Sequence, residues 1–200
     1  MTDDALLDAA RSYARDRLSD KRYAHTLRVA DAAERLAGLH ELDPKKARLA
    51  GLLHDAARET DKDELFRVAD EEGIVTSNLE HERPVLLHGP VMAELARKEL
   101  GVKDEEVLGA VRAHTTGEPG MGPLALALYV ADKIEPDRDQ TGVENLRKLA
   151  LEDLRHAAAA ALEGSISYNE QRGKPTHPKS RQTLEWLEGP VRERPGECGV

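Results

Sequence analysis

The pair His54-Asp55 ends an apolar run, Leu49-Ala50-Gly51-Leu52-Leu53, and that placement limits what the chain can fold into. A helix whose buried face ends in His-Asp carries two polar side chains into the protein interior. Burying a charge is costly unless it is paired or bound to a metal. Asp132 poses the same problem. It closes Leu124-Ala125-Leu126-Ala127-Leu128-Tyr129-Val130-Ala131, the most apolar stretch of the chain. Leu124, Leu128 and Asp132 fall on one helical face at four-residue spacing. The bland alternative is a carboxylate that pairs with Lys133 or Arg138, or that looks outward near a helix end.

His25, His88 and His114 are unremarkable singly. Taken with His54, Asp55 and Asp132 they form the order H…HD…H…H…D, with every member in or beside a segment that reads as helix. Imidazole and carboxylate together suit iron, manganese, zinc and nickel. The remaining histidines read as ordinary. His40 and His81 sit among charged residues and are expected to be exposed, and His156 falls on a wet face. His177 follows the loop Arg172-Gly173-Lys174-Pro175 and is the one of these placed where it could approach a substrate.

The 200 residues fit one domain with an adequate core. Abundant leucine and alanine with few β-branched residues favour an all-α fold. The single cysteine, Cys198, excludes an internal disulfide and cysteine zinc sites. No apolar run approaches the roughly 20 residues needed to span a bilayer. Met1-Thr2-Asp3-Asp4 lacks the basic start of a signal peptide, so the expected location is a reducing cytoplasm. A formal net charge of −9 argues against broad binding to nucleic-acid phosphates. One Phe, one Trp and four Tyr are too few for a single-strand stacking platform.

Capping residues and breakers divide the chain. Helices are expected over 3–18, from Ser19 or Asp20 to Ala37, and from Asp43-Pro44 to His54. Others are expected from Asp61 to Gly73, from Gly89-Pro90 to before Gly101, and from Asp104 to His114. Residues 74–87 look irregular. The Gly-rich stretch 115–122 is a loop. An apolar helix opens at Pro123 and stops before Pro136, one long helix covers 143–163, and a last one covers 178–187. With no repeat and no linker, residues 1–188 read as one domain and 189–200 as a flexible tail.

Five stretches resemble the HD-superfamily phosphohydrolases, and within them the YqeK-like symmetrical bis(5'-nucleosyl)-tetraphosphatases. They are Arg22-Tyr23-Ala24-His25-Thr26-Leu27-Arg28-Val29, Gly51-Leu52-Leu53-His54-Asp55-Ala56-Ala57-Arg58, Leu87-His88-Gly89-Pro90, Ala113-His114-Thr115-Thr116-Gly117, and residues 129–138 with Asp132-Lys133-Ile134-Glu135-Pro136. The similarity spans roughly residues 20–185. Two positions depart from the family pattern. Arg58 stands where lysine is usual, and Thr183-Leu184-Glu185-Trp186 lacks an asparagine often found there.

The resemblance implies an HD-domain helical bundle with a buried metal centre. Six protein ligands are more than one hydrolytic metal uses, and they suit two divalent ions. By resemblance Asp55 bridges, His25, His54 and Asp132 hold one ion, and His88 and His114 hold the other. Iron is the family metal, and the donor set equally allows manganese. The implied reaction cuts diadenosine tetraphosphate into two ADP, with His54, Asp55 and Arg58 in the catalytic group. Arg22, Arg58, Lys133 and Arg138 are then candidates for phosphate contacts, and Thr115 and Thr116 for hydroxyl contacts. Competing functions are another HD hydrolase, such as a nucleotide 5'-phosphatase or a cyclic phosphodiesterase, and a metal-bearing nucleotide sensor.

Overall fold

The computed structural model describes residues 2–190, which form helices and turns and no strand. The helices are α1 (Asp3–Arg17), α2 (Asp20–Leu39), α3 (Pro44–Leu53), α4 (Lys62–Glu71), α5 (Asn78–Glu82), α6 (His88–Glu99), α7 (Glu105–Ala113), α8 (Pro123–Ile134), α9 (Val143–Glu152), α10 (Leu154–Gln171) and α11 (Pro178–Glu188). A short 3-10 turn covers Pro84–Leu87. Residues 191–200, most of the expected tail, lie outside the described residues.

Side-chain caps explain most helix starts. Asp43 accepts from the backbone N–H groups of Lys45 and Lys46, and Pro44 follows as the first helical residue. Asp61 and Asp104 cap α4 and α7 in the same way. Two expectations need correction. The single helix over 143–163 is two helices that meet at Asp153. Its carboxylate accepts from Arg155 N and His156 N at 2.8 and 3.0 Å, so it starts a new helix where the apolar spacing suggested continuation. The irregular stretch 74–87 contains α5, opened by a capping box between Ser77 and Glu80.

Helix α8 is the axis of the bundle, buried from Leu124 through Asp132 and packed on α2, α7 and α10. Helix α3 lies across α2, and α6 leans on α7. Small side chains let α2 and α3 approach closely. A Cβ at Gly51 would stand 2.5 Å from the Ala30 Cα, so only glycine fits at that crossing. Helix α10 packs on α8, α9 and α11 and forms one wall of a cleft. Among the described residues no helix is long and apolar enough to cross a membrane.

Candidate metal centre

Five helices bring the six predicted donors together. His25 lies in the second turn of α2. His54 and Asp55 follow the last residue of α3, His88 opens α6, His114 follows α7, and Asp132 lies in the last turn of α8. All six are buried, His54 and His88 completely. Helices α3, α7 and α8 thus turn their C-terminal ends toward one point, which favours positive charge there.

Hydrogen bonds decide which ring nitrogen is free. His54 Nδ1 lies 2.7 Å from the Gly51 carbonyl, His114 Nδ1 lies 2.7 Å from the Val111 carbonyl, and His88 Nδ1 bonds to the Val85 carbonyl. A carbonyl only accepts, so each Nδ1 holds the proton and donates it. Each Nε2 is left with a lone pair. His25 Nδ1 donates to Glu135 Oε1 at 3.1 Å, which frees its Nε2 likewise.

The four lone pairs converge on Asp55. Its Oδ1 lies 3.0 Å from His88 Nε2 and 3.7 Å from His114 Nε2. Its Oδ2 lies 3.6 Å from His54 Nε2 and 3.7 Å from His25 Nε2. One carboxylate oxygen therefore serves each of two donor groups, His25–His54–Asp55 and Asp55–His88–His114. Asp132 Oδ1 stands 3.1 Å from His25 Nε2, beside the first group.

The residues fit a metal. The buried Nε2 atoms of His25 and His54 have no hydrogen-bond partner among the described residues. His88 Nε2 and His114 Nε2 are 2.9 Å apart, and two lone pairs at that distance repel unless a cation lies against both. Neighbouring donors about 2.1 Å from one octahedral ion stand about 3.0 Å apart. The spacings of 2.9, 3.0 and 3.1 Å match that.

Burial lowers the pKa of His54 to about 4 and lowers that of His88, so both rings stay neutral and able to ligate. Burial alone would push the Asp55 carboxyl up. Positive charge and donated protons on the imidazole side, at His54, His114 and His88, outweigh it and hold the group well below the usual carboxylate range; with those rings neutral, a cation held between them would fill the same role. Asp132 is also held well below the usual carboxylate range, because Lys133, followed by His25, outweighs its burial.

The predicted phosphate-contact residues surround this centre. Arg22 donates to Asp55 Oδ2 at 3.0 Å. The Arg58 guanidinium lies 3.4 Å from His88 Nε2 and 3.6 Å from Asp55 Oδ1. Lys133 donates to Asp132 Oδ2 at 2.8 Å, and Arg138 donates to Asp132 Oδ1 and to the Asp132 carbonyl, both at 2.8 Å. Asp132 thus faces His25 and also pairs with the two cations that the bland alternative named. The Thr115 hydroxyl is 3.3 Å from both His88 Nε2 and His114 Nε2. The Thr116 hydroxyl donates to the Gly117 carbonyl. Gly117 takes a left-handed φ of 71°, and a Cβ there would meet the Thr183 side chain at 2.9 Å, so it docks α11 beside the histidine loop.

Two further polar groups, Glu135 buried and His177 half-buried, tie distant segments together. Glu135 is 2% exposed and joins His25 to Arg28, which donates to Glu135 Oε2 at 2.6 Å. His177 is bonded to Glu80 at 2.7 Å, across 97 positions of sequence. His81 and His156 are exposed as expected, but His40 is not: it is half-buried, because its Nε2 donates to the Ala150 carbonyl at 2.8 Å.

Asp55, His114 and Asp132 open onto a cleft of about 1130 Å³. Pockets for small ligands usually measure about 300–1,000 Å³, so this one has room for a large ligand. Its lining also includes Ser165, Tyr168 and Asn169 of α10.

The HD domain family matches residues 22–137, which span all six donors. The chain belongs to the HD-domain family. This HD protein is 38% identical over 173 residues to the Bacillus subtilis protein named symmetrical bis(5'-nucleosyl)-tetraphosphatase, covering 86% of this chain and 92% of the relative. A Staphylococcus aureus protein of the same name is 37% identical, covering 72% of this chain and 74% of that one. The crystal structure of a Clostridium acetobutylicum protein, described as a predicted HD superfamily hydrolase involved in NAD metabolism, superposes with a TM-score of 0.86 at 38% identity. It covers 90% of this HD chain and 95% of its own.

Proposed function

We propose that the protein is a symmetrical bis(5'-nucleosyl)-tetraphosphatase, which hydrolyses diadenosine tetraphosphate at its central bridge and releases two ADP. The observation that carries this reading is a pair of donor groups joined through Asp55 at the wall of a large, cation-lined cleft. The names of the relatives support the substrate and the symmetric cut.

The reading assigns two divalent ions. His25, His54, Asp55 and Asp132 would hold one, and Asp55, His88 and His114 the other. A nitrogen- and oxygen-rich set without thiolate suits iron, with manganese as the alternative. Such ions, when bound, lower the pKa of a water and neutralise charge on phosphoryl oxygens. The chain's own residues supply position and charge. The Nδ1 bonds hold His54, His88 and His114 in the ligating tautomer, and Glu135 does so for His25. Arg22, Arg58, Lys133 and Arg138 bring positive charge to the cleft wall where phosphate oxygens would lie. Thr115, next to His88 and His114, has a hydroxyl placed to donate to a phosphate oxygen. In the reaction one water oxygen bonds to an inner phosphorus, the bond from that phosphorus to the central bridging oxygen breaks, the oxygen leaves with the second ADP, and the water's protons pass to solvent.

The ligand is a dinucleotide and its products are mononucleotides; nucleic acid and membrane are not partners in this reading. A reducing cytoplasm suits a chain with one cysteine and an iron centre. Anaerobic purification, metal counting and product analysis on one sample test the whole proposal. The expected result is close to two metals per chain and ADP as the only product. ATP plus AMP would refute the symmetric placement. Tight binding without turnover would make the protein a sensor.

A further inference from the structure

We propose that Arg83 is a phosphate-binding residue of the cleft, held in place by a latch between Glu80 and His177; the inference rests on the dinucleoside polyphosphate reading above. The cleft is lined by five Arg and Lys side chains: Arg22, Arg58, Arg83, Lys133 and Arg138. Four of them stand within 4 Å of a carboxylate of the metal centre: Arg22 and Arg58 of Asp55, Lys133 and Arg138 of Asp132. Arg83 differs. It is half-buried, and among the described residues no carboxylate lies within salt-bridge distance of it. Among the described residues its side chain makes one long bond, from Nη1 to the Pro175 carbonyl at 3.3 Å. A guanidinium has five N–H donors in a planar fork. Most of those on Arg83 therefore remain for a ligand, in a cleft where the other cations already face carboxylates. A planar fork with an unneutralised charge is suited to a phosphate.

The position of Arg83 is built rather than incidental. It follows the last residue of α5, and α5 is tied down at both ends of its key side chain. Glu80 Oε2 accepts from the Ser77 backbone N–H at 2.9 Å and from the Ser77 hydroxyl. Glu80 Oε1 accepts from His177 Nε2 at 2.7 Å. His177 Nδ1 accepts from Lys179 N at 3.1 Å, so the ring proton sits on Nε2 and points at Glu80. Both side chains of the latch are only 11% exposed. From the start of α11, Ser180 then donates to the Thr116 carbonyl at 2.8 Å. A rigid frame thus runs from α5 through α11 to the loop that follows His114, and Arg83 and Pro175 sit on it at the cleft wall. Arg83 and the metal donors are held at a set separation, as a polyphosphate that reaches beyond the donors requires.

Arg83→Ala, Arg83→Lys, Arg83→Glu and His177→Gln should be assayed anaerobically on diadenosine tetraphosphate, with metal content and melting temperature measured on the same samples. Loss of one charge-assisted bond predicts a KM raised about tenfold or more in Arg83→Ala, with kcat within about threefold. Arg83→Lys should recover much of the loss, Arg83→Glu should be worse than Ala, and His177→Gln should raise KM by a smaller factor. Metal content and melting temperature should match wild type in all the Arg83 variants. An unchanged KM in both the Ala and Glu variants would overturn the inference, as would a KM rise that tracks loss of metal or of stability. If wild-type protein does not turn over diadenosine tetraphosphate, the function reading fails by itself. Arg83 is then judged by calorimetric binding of ADP and of inorganic triphosphate, where equal affinity in wild type and Arg83→Ala overturns the inference and about tenfold weaker binding supports it.

Discussion

Gly51→Ala tests how the helix crossing sets the metal centre. The added Cβ would stand 2.5 Å from Ala30 Cα, 3.0 Å from Ala30 N and 3.1 Å from Ala30 Cβ. The nearest of these atoms are backbone, so no side chain can swing away. Ordinary contact requires α2 and α3 to separate by roughly 1 Å, an overpacking strain of about 1–3 kcal/mol. Alanine gains back up to about 1 kcal/mol of helix propensity. The net loss should be about 1 kcal/mol, a fall in melting temperature of roughly 2–4 °C for a chain of this size. Gly38→Ala in α2 is the control, because a Cβ there meets nothing within 4 Å. It should leave the melt unchanged or raise it. Function should suffer more than stability, since α2 carries His25 and α3 delivers His54 and Asp55. A shift of about 1 Å at a reacting centre can cost about 100-fold in rate. Thermal melts, metals per chain and turnover measured on both variants decide it. Wild-type melting and metal content in Gly51→Ala would refute the argument that this crossing is closed to a side chain.

Asp55→Ala should strip metal and abolish turnover, more severely than alanine at any single histidine, as metal counting beside an activity assay will show. Glu135→Gln should weaken metal binding about 10- to 100-fold in chelator competition, because the carboxylate behind His25 is lost. Arg138→Ala should lower metal retention as well as activity, since Arg138 holds both Asp132 Oδ1 and the Asp132 carbonyl. With chelator present, stability should fall as pH drops. His54 titrates at about 4 when folded and at its ordinary 6.5 when unfolded, so the unfolded chain takes up the proton first. The stability linked to His54 is complete above pH 6.5 and is lost on the way to pH 4, about 3 kcal/mol in all. Urea midpoints that do not move between pH 7.5 and 5 would count against it.

Much of the fold is legible because the helices announce their starts. Asp43-Pro44, Asp61, Asp104 and Pro123 mark the entries to α3, α4, α7 and α8, where capping chemistry is local and needs no tertiary context. The break at Asp153 was hidden because alanine and leucine keep helical spacing across it, and only the carboxylate's bonds to Arg155 N and His156 N reveal a second start. The extension of α10 to Gln171 was hidden for the opposite reason. Residues 164–171 are polar, and their helical state follows from Ile166 on the buried face with Ser165 and Tyr168 on the cleft. Ser77-x-x-Glu80 was readable as a capping box, but its second bond, to His177, depends on a chain reversal that no local pattern encodes.

The same logic explains why five of the six donors sit at or just beyond helix ends. The last carbonyls of a helix have no intrahelical partner. His54 and His114 each follow such an end, and each ring bonds to the carbonyl three residues back, at Gly51 and Val111. Ending the helix thus frees the acceptor that sets the tautomer and turns Nε2 inward. At the close of the 3-10 turn the His88 ring also bonds to the carbonyl three residues back, at Val85, although that oxygen accepts the His88 backbone N–H as well. His25 cannot, because it lies inside α2, where the carbonyls behind it are bonded along the helix. Its Nδ1 needs an acceptor from elsewhere in the fold, and Glu135, just past the end of α8, supplies it. The carboxylate behind His25 is therefore the cost of placing one ligand mid-helix, and its burial follows from that geometry.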